Sequence, residues 1–138
     1  MIIGITKGDI FGTPYKHIAF AVNTEGFNDS GFAGVISRRY WSKLANNGGN
    51  ELGEILTKEV GGKVFHALVC HSLGKDGWKQ TPEIVEKCLD LLNLSPDGET
   101  LAIVLMGAGM IGQMQGADVL SILGAMARSN KQVEVYYL

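Results

Sequence analysis

The sequence predicts an α/β fold with three layers, in which helices cover both faces of a mixed sheet of roughly six strands. Short apolar segments alternate with amphipathic ones along the chain, in the order β-β-α-β-β-α-β-α-β. Residues 101–106 are apolar at every position, which is typical of a central strand covered on both faces. The chain has 138 residues and no Pro/Ser-rich linker, so we expect residues 1–138 to form a single domain.

The first half of the chain is predicted to hold four strands and one helix. Residues 1–6 and 16–22 form short apolar strands, separated by a turn at residues 12–14. Residues 54–60 and 63–70 form two more strands, which Gly61 and Gly62 join as a tight turn. Between these pairs, apolar side chains recur at helical spacing, with basic residues toward the helix end, where cations are favourable. These apolar positions are Phe32, Ala33, Ile36, Tyr40 and Leu44.

The second half is predicted to hold two helices and two strands. Thr81 is the predicted cap of a helix that has Pro82 at its first position and Glu83 in its first turn. Its buried face is predicted from apolar spacing as Ile84, Val85, Cys88, Leu89, Leu91 and Leu92. After the strand at 101–106 comes a glycine-rich loop, 107–116, and then a helix. The apolar positions of that helix are Val119, Leu120, Ile122, Leu123, Met126 and Ala127, and residues 133–138 form the last strand.

The composition favours a globular protein that binds a small ligand. The hydrophobic fraction is 46% and the charged fraction 19%, which excludes a disordered chain. A net charge of −2 provides none of the basic surface that nucleic-acid binding requires. No apolar run approaches the ~20 residues of a membrane span. The first ten residues lack a basic leader, so we expect neither a signal peptide nor an anchor, and by default a cytoplasmic protein.

Two glycine-containing loops indicate where a ligand would bind. Residues 23–34 lead from Asn23, at the end of the second strand, into a helix, and residues 107–116 lead from a later strand into another helix. In α/β sheets ligands bind beyond the carboxyl ends of strands, so we expect both loops to face one crevice. Glycines there let backbone N–H groups approach phosphates, and a helix N-terminus adds partial positive charge. Ordinary turns are the alternative use of such glycines.

The second loop also suggests a different class of protein. GAGMIG at residues 107–112 matches the G-x-G-x-x-G pattern of dinucleotide-binding folds, after a strand and before a helix. Glu134 follows about twenty residues later, where such folds hold an acid on the ribose. That pattern belongs to a first strand–helix turn, however, and only one further strand follows here. An NAD-binding domain is therefore an alternative hypothesis, and a non-catalytic interaction or sequestering module with a degenerate pocket is another.

Several segments taken together resemble the macrodomain family. They are, in chain order, ITKGDI, AVNTEGFNDSGFAGVI, GWKQTPEIVEKCLDLL, LMGAGMIG and VEVYYL. The similarity is greatest to the branch with terminal ADP-ribose glycohydrolases, antitoxins that remove ADP-ribose from DNA, and ADP-ribose-1″-phosphate processing proteins. It covers nearly the whole chain and implies a macro-like fold that binds ADP-ribose or a related nucleotide without a cofactor. The implied partner is that small molecule. The resemblance implies no membrane association, and it implies nucleic acid only as an ADP-ribosylated substrate.

The resemblance also implies roles for single residues. Asp9 would accept a hydrogen bond from the adenine amino group, with the backbone of Ile10 near the base. Asn23 and its neighbour Thr24 would lie at the distal ribose. The first helix would begin at the diphosphate, the second glycine loop would close over it, and Tyr136 would line the adenine pocket. The implied contacts at these last elements are Gly31, Phe32, Ala33, Gly107, Ala108, Gly109, Met110, Ile111, Gly112 and Tyr136.

The resemblance leaves hydrolysis open. The glycohydrolases of this branch use a lysine just after the fourth strand and an aspartate in the second glycine loop. Here the strand ends in Cys70-His71-Ser72 and the loop reads GAGMIGQM, while the register of Lys75 is not fixed by the sequence. Asn23 is the one candidate for a catalytic role, in which it would position the ribose for attack by a water.

No metal site is predicted. Residues of a strand that are next to each other point to opposite faces, which separates Cys70 from His71, and His66 lies ~13 Å from Cys70 along an extended strand.

Overall fold

The computed structural model describes residues 1–26, 31–44, 49–71, 82–92, 99–105 and 118–137. Within these ranges the strands are β1 (Ile2–Lys7), β2 (His17–Asn23), β3 (Ile55–Val60), β4 (Lys63–His71), β5 (Thr100–Val104) and β6 (Gln132–Tyr137). The helices are α1 (Gly31–Arg39), α2 (Pro82–Leu91) and α3 (Asp118–Arg128), and Ile10–Gly12 forms a short 3-10 helix. The predicted order of strands and α-helices is confirmed.

The strands form one six-stranded sheet in the order β1-β6-β5-β2-β4-β3. Neighbours pair in parallel from β1 to β4, whereas β3 pairs antiparallel with β4 at the edge. The tight turn between β3 and β4 is confirmed, since Gly61 and Gly62 have φ of +58° and +81°, as a hairpin turn of this kind requires. The mixed sheet agrees with the predicted fold class.

Two apolar cores lie on opposite faces of the sheet, so the three predicted layers are present. On one face, α2 and α3 pack on alternate residues of the central strands, with Leu101 and Ile103 of β5 completely buried. On the other face, α1 and the 3-10 helix cover the intervening residues, including Phe20 of β2 and Phe65 of β4. This alternation explains why the segment at 101–106 is apolar throughout.

The first helix ends earlier than its apolar spacing predicted. The carbonyl of Ile36 accepts hydrogen bonds from the N–H groups of both Tyr40 and Trp41, each at 2.9 Å. This wider closing turn interrupts the α-helical ladder after Arg39. The predicted apolar position Leu44 is nevertheless buried, as is its neighbour Trp41, so this end of the pattern packs in the core from a turn rather than from a helix.

Two further details differ from the sequence expectations. Leu91 was assigned to the buried face of α2, which is wrong, because its side chain is 59% exposed while Val85, Cys88, Leu89 and Leu92 face the core. Leu120 in α3 is 78% exposed. The predicted cap Thr81 lies outside the described residues. No helix in the described ranges has the length and apolar character to cross a membrane.

Candidate functional site at the carboxyl ends of the strands

The carboxyl ends of five strands lie at one edge of the sheet, because β1, β6, β5, β2 and β4 are parallel to one another. At the centre of this edge β2 and β5 are neighbours, yet their connections diverge. From β2 the chain passes to α1 on one face, and after β5 it forms α3 on the opposite face before returning as β6. Such a switch point leaves a crevice between the two connections, where α/β folds bind ligands.

The two glycine-containing loops therefore leave neighbouring parallel strands at the same edge of the sheet. The first begins at Asn23, the last residue of β2, and the second follows Val104 and Leu105 at the end of β5. The second loop itself lies outside the described residues. So do the contacts predicted for it, which are Gly107, Ala108, Gly109, Met110, Ile111 and Gly112.

Asp9 caps the 3-10 helix that begins just beyond the end of β1. Its Oδ1 accepts a hydrogen bond from the N–H of Phe11 at 2.9 Å, and its carbonyl accepts from Gly12 at 3.1 Å. The Asp9 side chain is exposed, whereas Ile10 is 4% exposed and points into the core. A ligand at this edge would thus meet the carboxylate of Asp9 and only the backbone of Ile10.

Two residues that sequence reasoning missed hold this connection against the sheet. Oγ1 of the buried Thr13 accepts a hydrogen bond from the hydroxyl of Tyr136 at 2.9 Å. Lys63, at the start of β4, donates to the carbonyls of Thr13 and Tyr15 at 2.9 and 2.7 Å. Tyr136 is itself only 9% exposed, so its ring lies beneath the connection, with its hydroxyl engaged by Thr13.

Asn23 shapes the start of the first loop. It is 5% exposed, and its Oδ1 accepts a hydrogen bond from the N–H of Gly26 at 2.9 Å. Gly26 has a φ of +82°, a conformation that glycine adopts without strain. A register shift after Val22 pairs Asn23 with His71 of β4. The backbone carbonyl of the adjacent Thr24 accepts a hydrogen bond from the N–H of Gly49 at 3.1 Å. This bond ties the loop to the segment before β3.

The first turn of α1 presents backbone rather than side chains. The ring of Phe32 stacks on Phe11, with centroids 5.3 Å apart, and meets Phe20 edge to face at 5.5 Å. Ala33 is 8% exposed. A diphosphate at this helix would therefore contact the N–H groups of the first turn, which begins at Gly31.

Glu134 does not lie where a dinucleotide-binding fold holds its ribose acid. It is the third residue of β6, away from the carboxyl edge, and accepts a hydrogen bond from Oγ1 of Thr6 at 2.5 Å. The sheet order also differs from the all-parallel 3-2-1-4-5-6 arrangement of that fold. The alternative hypothesis of an NAD-binding domain of this type loses its structural basis.

Both cysteines lie in the core. Neither Cys70 of β4 nor Cys88 of α2 forms a disulfide, and both are fully buried. The Cys70 thiol donates a hydrogen bond to Cys88, which together with burial raises the pKa of Cys70 well above its usual range. The same bond lowers the pKa of Cys88. A buried, protonated thiol such as that of Cys70 is a poor nucleophile. In the part of the chain that the structure describes, no group of three or more His, Cys, Asp or Glu side chains could hold a metal ion.

Comparison with known proteins identifies the fold. No protein-family model matches the chain. No curated protein matches it. Among solved structures, the macrodomain of Thermus aquaticus DarG has a TM-score of 0.70 at 19% identity, and the match covers 100% of this chain and 99% of that one. The macrodomain of Mycobacterium tuberculosis DarG also has a TM-score of 0.70, at 18% identity over 100% and 98% of the two chains.

A third similar structure, DarTG of Thermosipho africanus in complex with ADP-ribose, has a TM-score of 0.67 at 17% identity, covering 97% of this chain and 41% of that one. The sheet, its two helical layers and these matches over the full length agree with one another. The resemblance found in the sequence is confirmed, and the chain has the macrodomain fold.

Proposed function

We propose that this chain binds ADP-ribose or a close derivative in the crevice beyond β2 and β5. The observation that carries the proposal is the meeting of two chemically different groups at one sheet edge. One is the exposed carboxylate of Asp9, held by the N–H of Phe11, and the other is the N-terminal turn of α1. A carboxylate suits the amino group of a base, and a helix N-terminus suits a diphosphate.

The fold adds independent support. DarTG of Thermosipho africanus, which shares it, is in complex with ADP-ribose. A Trypanosoma brucei macrodomain in complex with ADP has a TM-score of 0.58 at 16% identity, covering 95% of this chain and 61% of that one. Both ligands contain an adenine and a diphosphate, which are the two groups that the edge is proposed to hold.

The proposal assigns each part of the ligand to an element of the site. Asp9 and the backbone of Ile10 hold the adenine, and Tyr136 supports the wall behind it through its bond to Thr13. The first turn of α1, at Gly31, Phe32 and Ala33, holds the diphosphate. Asn23 and Thr24 lie at the distal ribose, and the loop at residues 107–112 covers the diphosphate from the other side.

Binding, rather than hydrolysis, is the function proposed. Asn23 carries an amide, which has no useful basicity, so it would orient a ribose rather than remove a proton. Its Oδ1 is already engaged by Gly26. Sequestration of a nucleotide needs only the pocket. Removal of a phosphate, acyl or ADP-ribosyl group from the distal ribose would require a base from another part of the chain.

Isothermal titration with ADP-ribose, ADP, adenosine and NAD tests the proposal. We expect ADP-ribose to bind more tightly than NAD, because the nicotinamide adds bulk and charge at the distal ribose. ADP-ribose at 100 times its dissociation constant should stabilise the fold by about 2.7 kcal/mol. The absence of binding at millimolar ADP-ribose would overturn the proposal, and tight binding of NAD alone would favour the dinucleotide hypothesis. Chromatography after incubation with ADP-ribose-1″-phosphate tests for turnover separately.

A further inference from the structure

Phe11 joins the two halves of the proposed site. It lies two residues after Asp9, whose Oδ1 binds its backbone N–H at 2.9 Å. Its ring stacks on Phe32 with centroids 5.3 Å apart and an interplanar angle of 20°. Phe32 is the second residue of α1. One aromatic contact thus connects the 3-10 helix that bears Asp9 to the helix turn proposed for the diphosphate.

The stacked pair is held in place from several directions. Phe11 also contacts Tyr40, with centroids 5.7 Å apart, and Tyr40 in turn contacts Phe65 of β4 at 5.2 Å. Phe32 meets Phe20 of β2 edge to face. Phe20 and Phe65 are fully buried in the core. The position of the pair is therefore set by the sheet, and offset or edge contacts of this kind favour defined ring orientations.

The connection after β1 is also anchored to the sheet by hydrogen bonds. The N–H of Gly8 binds the carbonyl of Tyr137 at 2.8 Å, and Thr13 is held by Tyr136 and Lys63. These bonds fix the connection relative to β6 and β4. The stack of Phe11 on Phe32 adds the link to α1, and with it a fixed spacing between Asp9 and the start of that helix.

We infer that Phe11 and Phe32 are positioning residues that set the spacing between the base and diphosphate subsites, an inference that rests on the proposed function. A ligand that carries both groups gains affinity over its separate parts only when the subsites are held at the matching distance. A rigid aromatic contact lowers the ordering cost of that arrangement. The pair would thereby favour adenosine diphosphates over free adenosine without touching the ligand through its rings.

Titration of single-site variants with ADP-ribose and adenosine tests this role. Phe11→Leu and Phe32→Leu keep an apolar side chain but remove the stack. We expect each to weaken ADP-ribose binding by about three- to tenfold, the range that corresponds to one aromatic pair. Adenosine, measured by competition, should change by less than about twofold. Phe11→Tyr keeps the stacked ring and should retain the wild-type ratio of the two affinities.

Phe65→Leu is the matched control, because it removes a ring of the same aromatic group that contacts Tyr40, one contact away from the pair. It should lower the melting temperature and change the affinity ratio much less than Phe11→Leu or Phe32→Leu does, because it acts on the pair only through Tyr40. Equal weakening of ADP-ribose and adenosine in the Phe11 and Phe32 variants, or an equal change of ratio in Phe65→Leu, would overturn the inference. If Phe11→Leu does not fold, Phe32→Leu and Phe11→Met supply the same comparison. Failure of the wild type to bind ADP-ribose would instead refute the proposed function.

Discussion

The imidazole rings of His17 and His66 stack with centroids 5.1 Å apart, and Nδ1 of His17 lies 2.9 Å from Nε2 of His66. Both residues are buried. At the outer ends, Nε2 of His17 bonds to the carboxylate of Glu99, and Nδ1 of His66 lies 3.0 Å from Oγ1 of Thr57. With both rings neutral, one pattern satisfies every nitrogen: Thr57 donates to His66, His66 to His17, and His17 to Glu99.

This arrangement predicts a loss of stability in mild acid. Burial and the neighbouring His17 lower the pKa of His66 from 6.5 to about 4. Between these values the unfolded chain binds the proton and the folded chain does not. Above pH 6.5 His66 is neutral in both states and the free energy of unfolding is unaffected. As the pH falls from 6.5 toward 4, proton uptake by the unfolded chain lowers the free energy of unfolding. The pKa shift corresponds to a decrease of about 3 kcal/mol in the free energy of unfolding. Urea unfolding at a series of pH values would measure this decrease.

His66→Gln separates this effect from the general acid sensitivity of carboxylates. A glutamine can donate to Nδ1 of His17 and accept from Thr57, but it does not titrate in this range. Its stability should fall much less steeply between pH 6.5 and 4.5 than that of the wild type. Parallel curves for the two proteins would contradict the assignment.

A second prediction concerns Gly4, which pairs with Glu134 across β1 and β6. A Cβ at Gly4 would lie 2.8 Å from the carboxyl carbon of Glu134, so Gly4→Ala must displace that carboxylate from Thr6. Because this carboxylate ends a flexible side chain and its bond to Thr6 is exposed, we expect a loss of at most about 1 kcal/mol in the free energy of unfolding. In a Glu134→Ala background the same change should be neutral or stabilising, since alanine is favoured over glycine within strands. An equal cost in both backgrounds would show that the side chain of Glu134 is not the obstacle.

A third prediction follows from the burial of both thiols. Cys70 and Cys88 lie in the core between β4 and α2, and reaction with a disulfide reagent requires an exposed thiolate. In native buffer, labelling should be slower than in denaturant by about a hundredfold or more, because it must await opening of the structure. Rapid labelling of one thiol in native buffer would mean that the interface between β4 and α2 opens readily.

Local sequence patterns predicted the elements of the fold more successfully than the contacts between them. Alternating apolar segments and the continuous apolar run at residues 101–106 identified the strands and their order. The 3-10 helix after Asp9 was missed, because its signal is one side chain capping a single turn. The helix at Gly31 was predicted too long, since Tyr40 and Leu44 keep the apolar spacing after the ladder has ended at Arg39.

The candidate site shows the same division. The sheet edge was predictable, because glycine-containing loops that follow parallel strands must leave from the same side. The bond between Thr13 and Tyr136 joins residues 123 positions apart, and no local pattern indicates it. The stack of Phe11 on Phe32 likewise depends on how α1 lies on the sheet. Ligand contacts at Asp9, Asn23 and Tyr136 remain predictions, and the contact at Asp9 can be tested directly by substitution.

Asp9 is expected to have two separable functions, one in the fold and one in recognition. Its Oδ1 caps the 3-10 helix, and the second oxygen is proposed to accept from the adenine amino group. Asp9→Asn retains a capping oxygen but presents an amide N–H to the base. Asp9→Asn should melt near the wild-type temperature. It should bind ADP-ribose about one to two orders of magnitude more weakly, because one charge-assisted hydrogen bond is lost. Asp9→Ala should lose affinity similarly and also about 1 kcal/mol of stability, because the cap is removed.

A change of base provides the decisive comparison. In the hypoxanthine analogue of ADP-ribose an oxygen replaces the adenine amino group, so the carboxylate of Asp9 would face an acceptor and repel it. The wild type should therefore bind this analogue more weakly than ADP-ribose by at least about tenfold. Asp9→Asn can donate to that oxygen, and its preference should narrow or reverse, whereas Asp9→Ala should discriminate little between the two ligands. Equal affinities of the wild type for both ligands, measured by titration, would place the base away from Asp9.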